Sequence, residues 1–179
     1  MKATGIVRRI DDLGRVVIPK EIRRTMRIRE GDPLEIYTTR EGEVIFKKYS
    51  LIGGLDDFAA QFCDVLNRSS GFTAAVTDRD AIIAITGSGK RELLGKPLSD
   101  VLAQVMEQRS IYQYQGSGRP LPVSDSSDRY TVAVAAPILC EGDVLGLVLF
   151  LSSDAQIPGE GEYKLAQTVS AFLGRHMET

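Results

Sequence analysis

Apolar positions in the first fifty residues come in short runs and form no helical stripe. Ile6 to Arg9 and Arg15 to Ile18 are rich in β-branched residues and flank the turn formers Asp11, Asp12 and Gly14, a pattern that predicts two short strands joined by a tight turn. Pro19 stops the ladder and, with no N–H to waste, predicts a helix start, so Lys20 to Met26 reads as a short helix with proline in its first turn. Gly31-Asp32-Pro33 is a turn. Leu34 to Thr38 and Val44 to Tyr49 read as strands of a hairpin around Arg40-Glu41-Gly42, where glycine is available for positive φ.

The pattern changes after the hinge Ser50 to Gly54. Leu55, Phe58, Phe62 and Leu66 make one stripe and predict a helix from Leu55 to Asn67. Strands are expected over Thr73 to Thr77 and Ala81 to Thr86, around Asp78-Arg79-Asp80. Two more are expected over Tyr130 to Leu139 and Val144 to Ser152, around Glu141-Gly142-Asp143. Asp100 to Gln108 reads as helix, and Glu162 to His176 as a closing helix with Leu165, Val169, Phe172 and Leu173 on one face. The fold class is α+β. The expected organisation is a small domain over residues 1–50, a linker over 51–55 and a larger domain over 56–179.

Charge sharpens this division. Residues 1–50 carry 4 Lys and 8 Arg against 3 Asp and 5 Glu, a net +4, so the whole-chain charge of -2 leaves -6 for the remainder. A basic head on an acidic body suggests that the head alone meets a polyanion. The beginning MKATGIVRR has no apolar signal-peptide core, and the apolar run Val144 to Leu151 is far short of the roughly 20 residues that span a bilayer. A reduced, cytoplasmic protein that does not enter membranes is expected.

Four short strands and a turn or two of helix bury little apolar surface. Cys63 and Cys140 lie outside the head, in apolar surroundings and without metal-ligand spacing; both read as buried free thiols. With no disulfide or metal to help the head, the expected completion is a second copy, in an obligate homodimer whose strands interleave and whose shared core takes in Val16, Val17 and Ile18.

Arg8, Arg9, Arg15, Arg23 and Arg24 would then stand at the rim, five guanidinium groups per chain and ten per dimer. One reading is a solvated face with Glu21 and Glu30 as counter-charges. The other is a two-fold array suited to a duplex, because guanidinium forks match phosphate oxygens and the O6/N7 edge of guanine.

The run TGIVRRIDDLGRVVIPKEIRRTMRIREGDPLEIYTTREGEVIFKKY resembles, over about residues 3 to 49, the swapped-hairpin β-barrel DNA-binding domain of the AbrB transition-state regulators. The resemblance implies that Arg8, Arg15, Arg23 and Arg24 contact DNA, with Arg9 a basic position in a comparable place. Taken whole, the chain is similar to a sporulation regulator of this family, which implies activation and repression of late genes in the developing spore compartment.

Over roughly residues 56 to 178, element order and the hairpin GDVLGLVLFLS resemble a GAF domain, which implies an antiparallel sheet with helices and a pocket for a small-molecule effector. Gln115 to Asp128 has the composition of a covering loop, and Lys90, Lys96 and Arg119 are cations that an anionic effector could use. The pattern names no effector residues, metal or cofactor. The competing view is that this domain only joins two dimers into a homotetramer through the stripes on its terminal helices.

Three other signals fail. Gly87-Ser88-Gly89-Lys90 lacks the glycine and hydroxyl residue of a phosphate-binding loop, at Ala84 and Arg91. Asp78-Arg79-Asp80 lacks the later oxygen ligands of a calcium loop. His176 has no arranged nucleophile and carboxylate and reads as a surface residue. Two other classes compete with a DNA-binding regulator. An antitoxin would carry a disordered acidic tail in place of apolar-rich residues 56–179. A reductase of free methionine sulfoxide would need more cysteines in polar settings. Neither suits this chain, which is expected not to be an enzyme.

Overall fold

Pro19, at φ -57° and ψ 147°, carries an extended chain into helix α1, Lys20–Thr25, and stands as the residue before the helix, one place earlier than the sequence suggests. The computed structural model describes residues 5–49 and 56–177. The chain divides into two units, residues 1–49 and 50–179; the expected linker and the stripe residue Leu55 lie outside the described residues.

In the first unit, β1 (Leu34–Thr38) and β2 (Val44–Lys48) form an antiparallel hairpin with Leu34 opposite Lys48 and Thr38 opposite Val44. The strands expected over Ile6 to Arg9 and Arg15 to Ile18 do not form within one chain. Both stretches lack regular secondary structure on either side of a turn at Asp12–Gly14, and a strand requires a ladder partner that the described residues of a single chain do not supply. Their apolar side chains are correspondingly open, Val7 at 95% and Val17 at 70%, and Pro19 alone is buried among residues 5–49.

The second unit is built on α2 (Asp56–Ser70), β3 (Thr73–Thr77), β4 (Ile82–Thr86), α3 (Lys90–Leu93), α4 (Asp100–Gln108), β5 (Tyr112–Gln113), β6 (Leu121–Ser124), β7 (Ser127–Cys140), β8 (Asp143–Ser152) and α5 (Glu160–His176). Its antiparallel sheet runs β4-β3-β8-β7-β5, and β6 also pairs with β7. Alternation along the strands sends side chains to both faces, and both are covered. On one face Ala59, Cys63 and Leu66 of α2 and Ala166, Val169 and Leu173 of α5 pack with Val76, Val148 and Phe150. On the other, Leu93 of α3 and Leu102, Val105 and Met106 of α4 pack with Ile85, Leu147 and Leu149.

Several expectations change here. Gln115 to Asp128 is no open cover, since its second half forms β6 and turns tightly into β7, with Ser124 opposite Ser127. Val123, Tyr130 and Val132 from this hairpin fill the space against the sheet. Ser99 Oγ fixes the arrangement by accepting the N–H of Leu102 at the start of α4 and donating to the Pro122 carbonyl at 2.8 Å. Cys63 is buried as expected, whereas Cys140 is only half-buried, because it ends β7 beside the Glu141–Gly142 turn.

Two glycines permit close backbone approach, Gly146 of β8 to the neighbouring strand β3 and Gly174 of α5 to β7 beneath it. A Cβ at Gly146 would lie 1.9 Å from the Thr77 carbonyl oxygen, and one at Gly174 would lie 2.0 Å from that of Leu139. Helix α5 therefore sits on β7 at a separation only glycine allows at position 174. Gly174→Ala is expected to destabilise the second unit by about 1–3 kcal/mol, the usual cost of overpacking. Urea denaturation checks this, and an unchanged midpoint contradicts it.

Candidate nucleic-acid interface

Asp11 organises the turn that presents Arg15. Its carboxylate accepts the N–H groups of Leu13 at 3.0 Å and Arg15 at 2.8 Å and the Arg15 Nε–H at 2.9 Å. Backbone bonds Asp11 N–H to Arg15 O at 3.0 Å and Gly14 N–H to Asp11 O at 2.9 Å close the turn, with Gly14 at φ 74°. Arg15 uses Nε in this turn, and its side chain stays largely exposed. Arg8 and Arg9 lie on the stretch leading into the turn, both exposed.

Arg23 and Arg24 lie in the last turn of α1, also exposed. At six residues, α1 is too short to lie along a groove as a recognition helix. The expected counter-charges do not engage these arginines: among the described residues no ion pair joins Glu21 or Glu30 to Arg23 or Arg24, and Arg8 and Arg9 form none either. Of the five arginines singled out by sequence, only Arg15 has an internal carboxylate partner, Asp11, in an exposed pair of little intrinsic strength.

Sequence reasoning passes over Arg27 and Lys48. Beyond α1 the chain turns with Ile28 N–H donating to Arg23 O at 2.8 Å and Arg27 N–H donating to Arg24 O at 3.3 Å, which places Arg27 at φ 51°. This left-handed position favours glycine, and arginine holds it at a cost of about 1 kcal/mol. Lys48 Nζ donates to the Arg27 carbonyl at 2.9 Å and lies 3.5 Å from the carboxylate of Asp32, which also accepts the Arg29 N–H at 2.8 Å. The available signal was an arginine just past the helix end, where glycine is the common residue.

In the second unit, burial pushes the Cys63 thiol up to about 12, so it supplies no thiolate. Lys90 and Lys96 are exposed, and Arg119 lies 3.8 Å from Asp128 across solvent. His176 is exposed as expected and stacks on Phe58, with ring centroids 5.4 Å apart, and on Phe172 at 5.9 Å.

Known proteins place this geometry. Residues 54–178 match the family model described as stage V sporulation protein T C-terminal, transcription factor. Stage V sporulation protein T of Bacillus subtilis (strain 168) is 51% identical over 181 residues that span 99% of both chains. The chain belongs to the stage V sporulation protein T family. Transition state regulatory protein AbrB of the same organism is 63% identical over 49 residues, which are 27% of this chain and 50% of AbrB. Residues 7–51 also match a model described as antidote-toxin recognition MazE, bacterial antitoxin. A GAF domain/HD domain protein from Geobacter sulfurreducens aligns over 73% of this chain and 99% of its own, at 19% identity and TM-score 0.51, a likeness of fold.

The stage V sporulation protein T family is one of transcription factors, and the chain is accordingly not an enzyme. An AbrB-like N-terminal domain and a GAF-like C-terminal domain together make the α+β chain expected from the sequence. The full-length match favours the regulator over the antitoxin alternative.

The Asp11 turn is open to a direct check. The Arg15 N–H and guanidinium hold the Asp11 carboxyl below its ordinary value of 3.8. Its bonds therefore stabilise the turn fully above that value and are lost as pH falls through the lower folded value. An NMR titration of the Asp11 carboxyl is expected to give a midpoint below 3.8; a midpoint at or above it contradicts the turn.

Proposed function

We propose that the chain binds promoter-region DNA as a dimer and regulates late spore-development genes, activating some and repressing others, in the cytoplasm of the developing spore. The observation that carries this reading is the set of exposed arginines without internal counter-charges, Arg8, Arg9, Arg23 and Arg24, joined by Arg15 on its Asp11 turn. The 63% identity with AbrB over the same residues supports the duplex as their target.

Dimerisation follows from the exposed apolar residues Val7, Ile10, Val16 and Val17, which a second chain would cover while pairing the two stretches. Two-fold symmetry then doubles the array. Short elements give phosphate contacts most of the affinity and leave specificity to groove edges and DNA deformability, so the sites are degenerate. With Arg8, Arg15, Arg23 and Arg24 of both chains on about eight phosphates, the log-log salt slope is expected to be about -7, at about -0.9 per contact. A slope near zero contradicts the assignment. Changing Arg23 and Arg24 to Ala should flatten the slope and leave circular dichroism and dimer mass intact; loss of folding would assign the pair a structural role.

The second unit joins dimers. Phe58, Phe62 and Phe172 cluster on α2 and α5 with centroid distances of 5.4–6.3 Å, Phe172 remains 46% exposed, and the exposed Val65 lines a groove with Phe58 and Phe62. An open aromatic face of this kind supports assembly, and pairing with chains outside the head dimer makes a tetramer with avidity for spaced sites. The side chains packed between the sheet and α4 favour this role over capture of a small-molecule effector there. Light scattering is expected to give a tetramer mass at micromolar concentration, reduced to a dimer by Phe172→Asp. A wild-type dimer removes the second interface, and a monomer removes both.

A further inference from the structure

Two acids, Asp11 and Asp12, sit between Arg8 and Arg9 on one side and Arg15 on the other. Both are exposed, and each carboxylate opposes a polyanion, so by charge alone both weaken binding to a duplex. They differ in what they touch. Asp12 makes no side-chain bond among the described residues, whereas the Asp11 carboxylate accepts three.

The two oxygens of Asp11 divide these bonds. Oδ1 accepts the N–H groups of Leu13 at 3.0 Å and Arg15 at 2.8 Å, which belongs to the turn, and an Asn or Ser side chain supplies an oxygen for that purpose. Oδ2 accepts the Arg15 Nε–H at 2.9 Å, and only this bond calls for the second oxygen of a carboxylate. As a source of stability the bond is weak, because the Arg15 side chain is 69% exposed and water screens the pair. Its effect falls on the arginine. A guanidinium is a planar fork of five N–H donors, and a bond at Nε restricts how the remaining four, on the two Nη nitrogens, are presented.

We propose that Asp11 is a positioning residue of the DNA-binding surface, which holds the Arg15 guanidinium ready for the duplex so that less side-chain freedom is lost on binding. The inference rests on the DNA-binding reading given above. Ordering a long side chain at an interface opposes association, and a side chain ordered beforehand avoids part of that loss. Positioning and charge predict opposite signs: without the carboxylate, charge alone gives tighter binding, and loss of positioning gives weaker binding. A role in the turn alone predicts weaker binding whether or not Arg15 is present.

The experiment measures duplex affinity of the full chain and its Asp11→Asn, Asp11→Ser and Asp12→Asn variants, each with Arg15 and with Arg15→Gln, together with a salt titration of the wild type and a thermal melt of every protein. Asp11→Asn and Asp11→Ser are expected to weaken binding of the dimer about 10-fold, about threefold from each chain, the scale on which ordering one long side chain weighs. Their melting temperatures are expected to match the wild type. Asp12→Asn removes the same charge from the same turn and is expected to bind equally well or more tightly. In the Arg15→Gln background the Asp11 changes are expected to weaken binding no further. Affinity at or above wild type in both Asp11 variants overturns the inference, as does equal weakening by Asp12→Asn. Weakening of the same size in the Arg15→Gln background, or weaker binding with a lower melting temperature in both Asp11 variants, assigns Asp11 to the turn alone and overturns it too. If wild-type affinity does not fall with salt, the DNA-binding reading falls and this inference with it; a steep wild-type salt dependence with unweakened Asp11 variants overturns the Asp11 assignment alone.

Discussion

A chain segment with exposed apolar side chains and no strand ladder gains little from folding alone, and residues 6–9 and 15–18 of this protein show both features. Val7, Ile10, Val16 and Val17 are exposed, no ladder forms along either stretch, and Pro19 alone is buried among residues 5–49. Hydrophobic burial and backbone hydrogen bonding both favour the same remedy, a second copy that supplies strands and cover together. In the interleaved dimer we propose, the arginines that flank those stretches become a two-fold surface. The DNA-binding geometry is then a by-product of how the small core is completed.

The second unit obeys the opposite regime. Its sheet is covered on both faces, its strands carry runs of buried residues such as Leu147 to Leu151, and helix α5 approaches β7 closely enough to demand glycine at 174. The charge division adds a constraint: residues 51–179 carry the chain's net negative charge and are repelled by a duplex. In the reading we propose, contact with DNA is confined to the head, and the larger unit acts through what it does to the arrangement of heads.

Sequence patterning was most informative where a local rule and the tertiary environment agree. Helix α4 and strand β3 lie where periodicity put them, because their apolar positions face a core within the same chain; β1 lies there too, because β2 supplies its ladder partner across a short turn. The strands expected over Ile6 to Arg9 and Arg15 to Ile18 carry the right residues, but strand formation is a property of pairs, and one chain offers no partner. Strand β6 was hidden by Pro122 and by flanking Gly and Ser residues that read as a loop, although its pairing with β7 tolerates a proline at the irregular register beside Val123. The five arginines we propose for DNA were singled out by spacing and resemblance together. Arg27 was not, since its signal is a backbone angle, and Lys48 matters through a bond to a carbonyl distant in sequence.

The measurement that bears most directly on the completed core is amide hydrogen exchange of the full chain at micromolar concentration, read at Ile6 to Arg9 and Arg15 to Ile18. An interleaved dimer pairs these amides across chains, so they are predicted to be protected to a degree comparable with the β1–β2 hairpin. Exchange at the rate of an unstructured peptide in both stretches, with β1 and β2 still protected, would contradict the shared core and the two-fold arginine surface that depends on it.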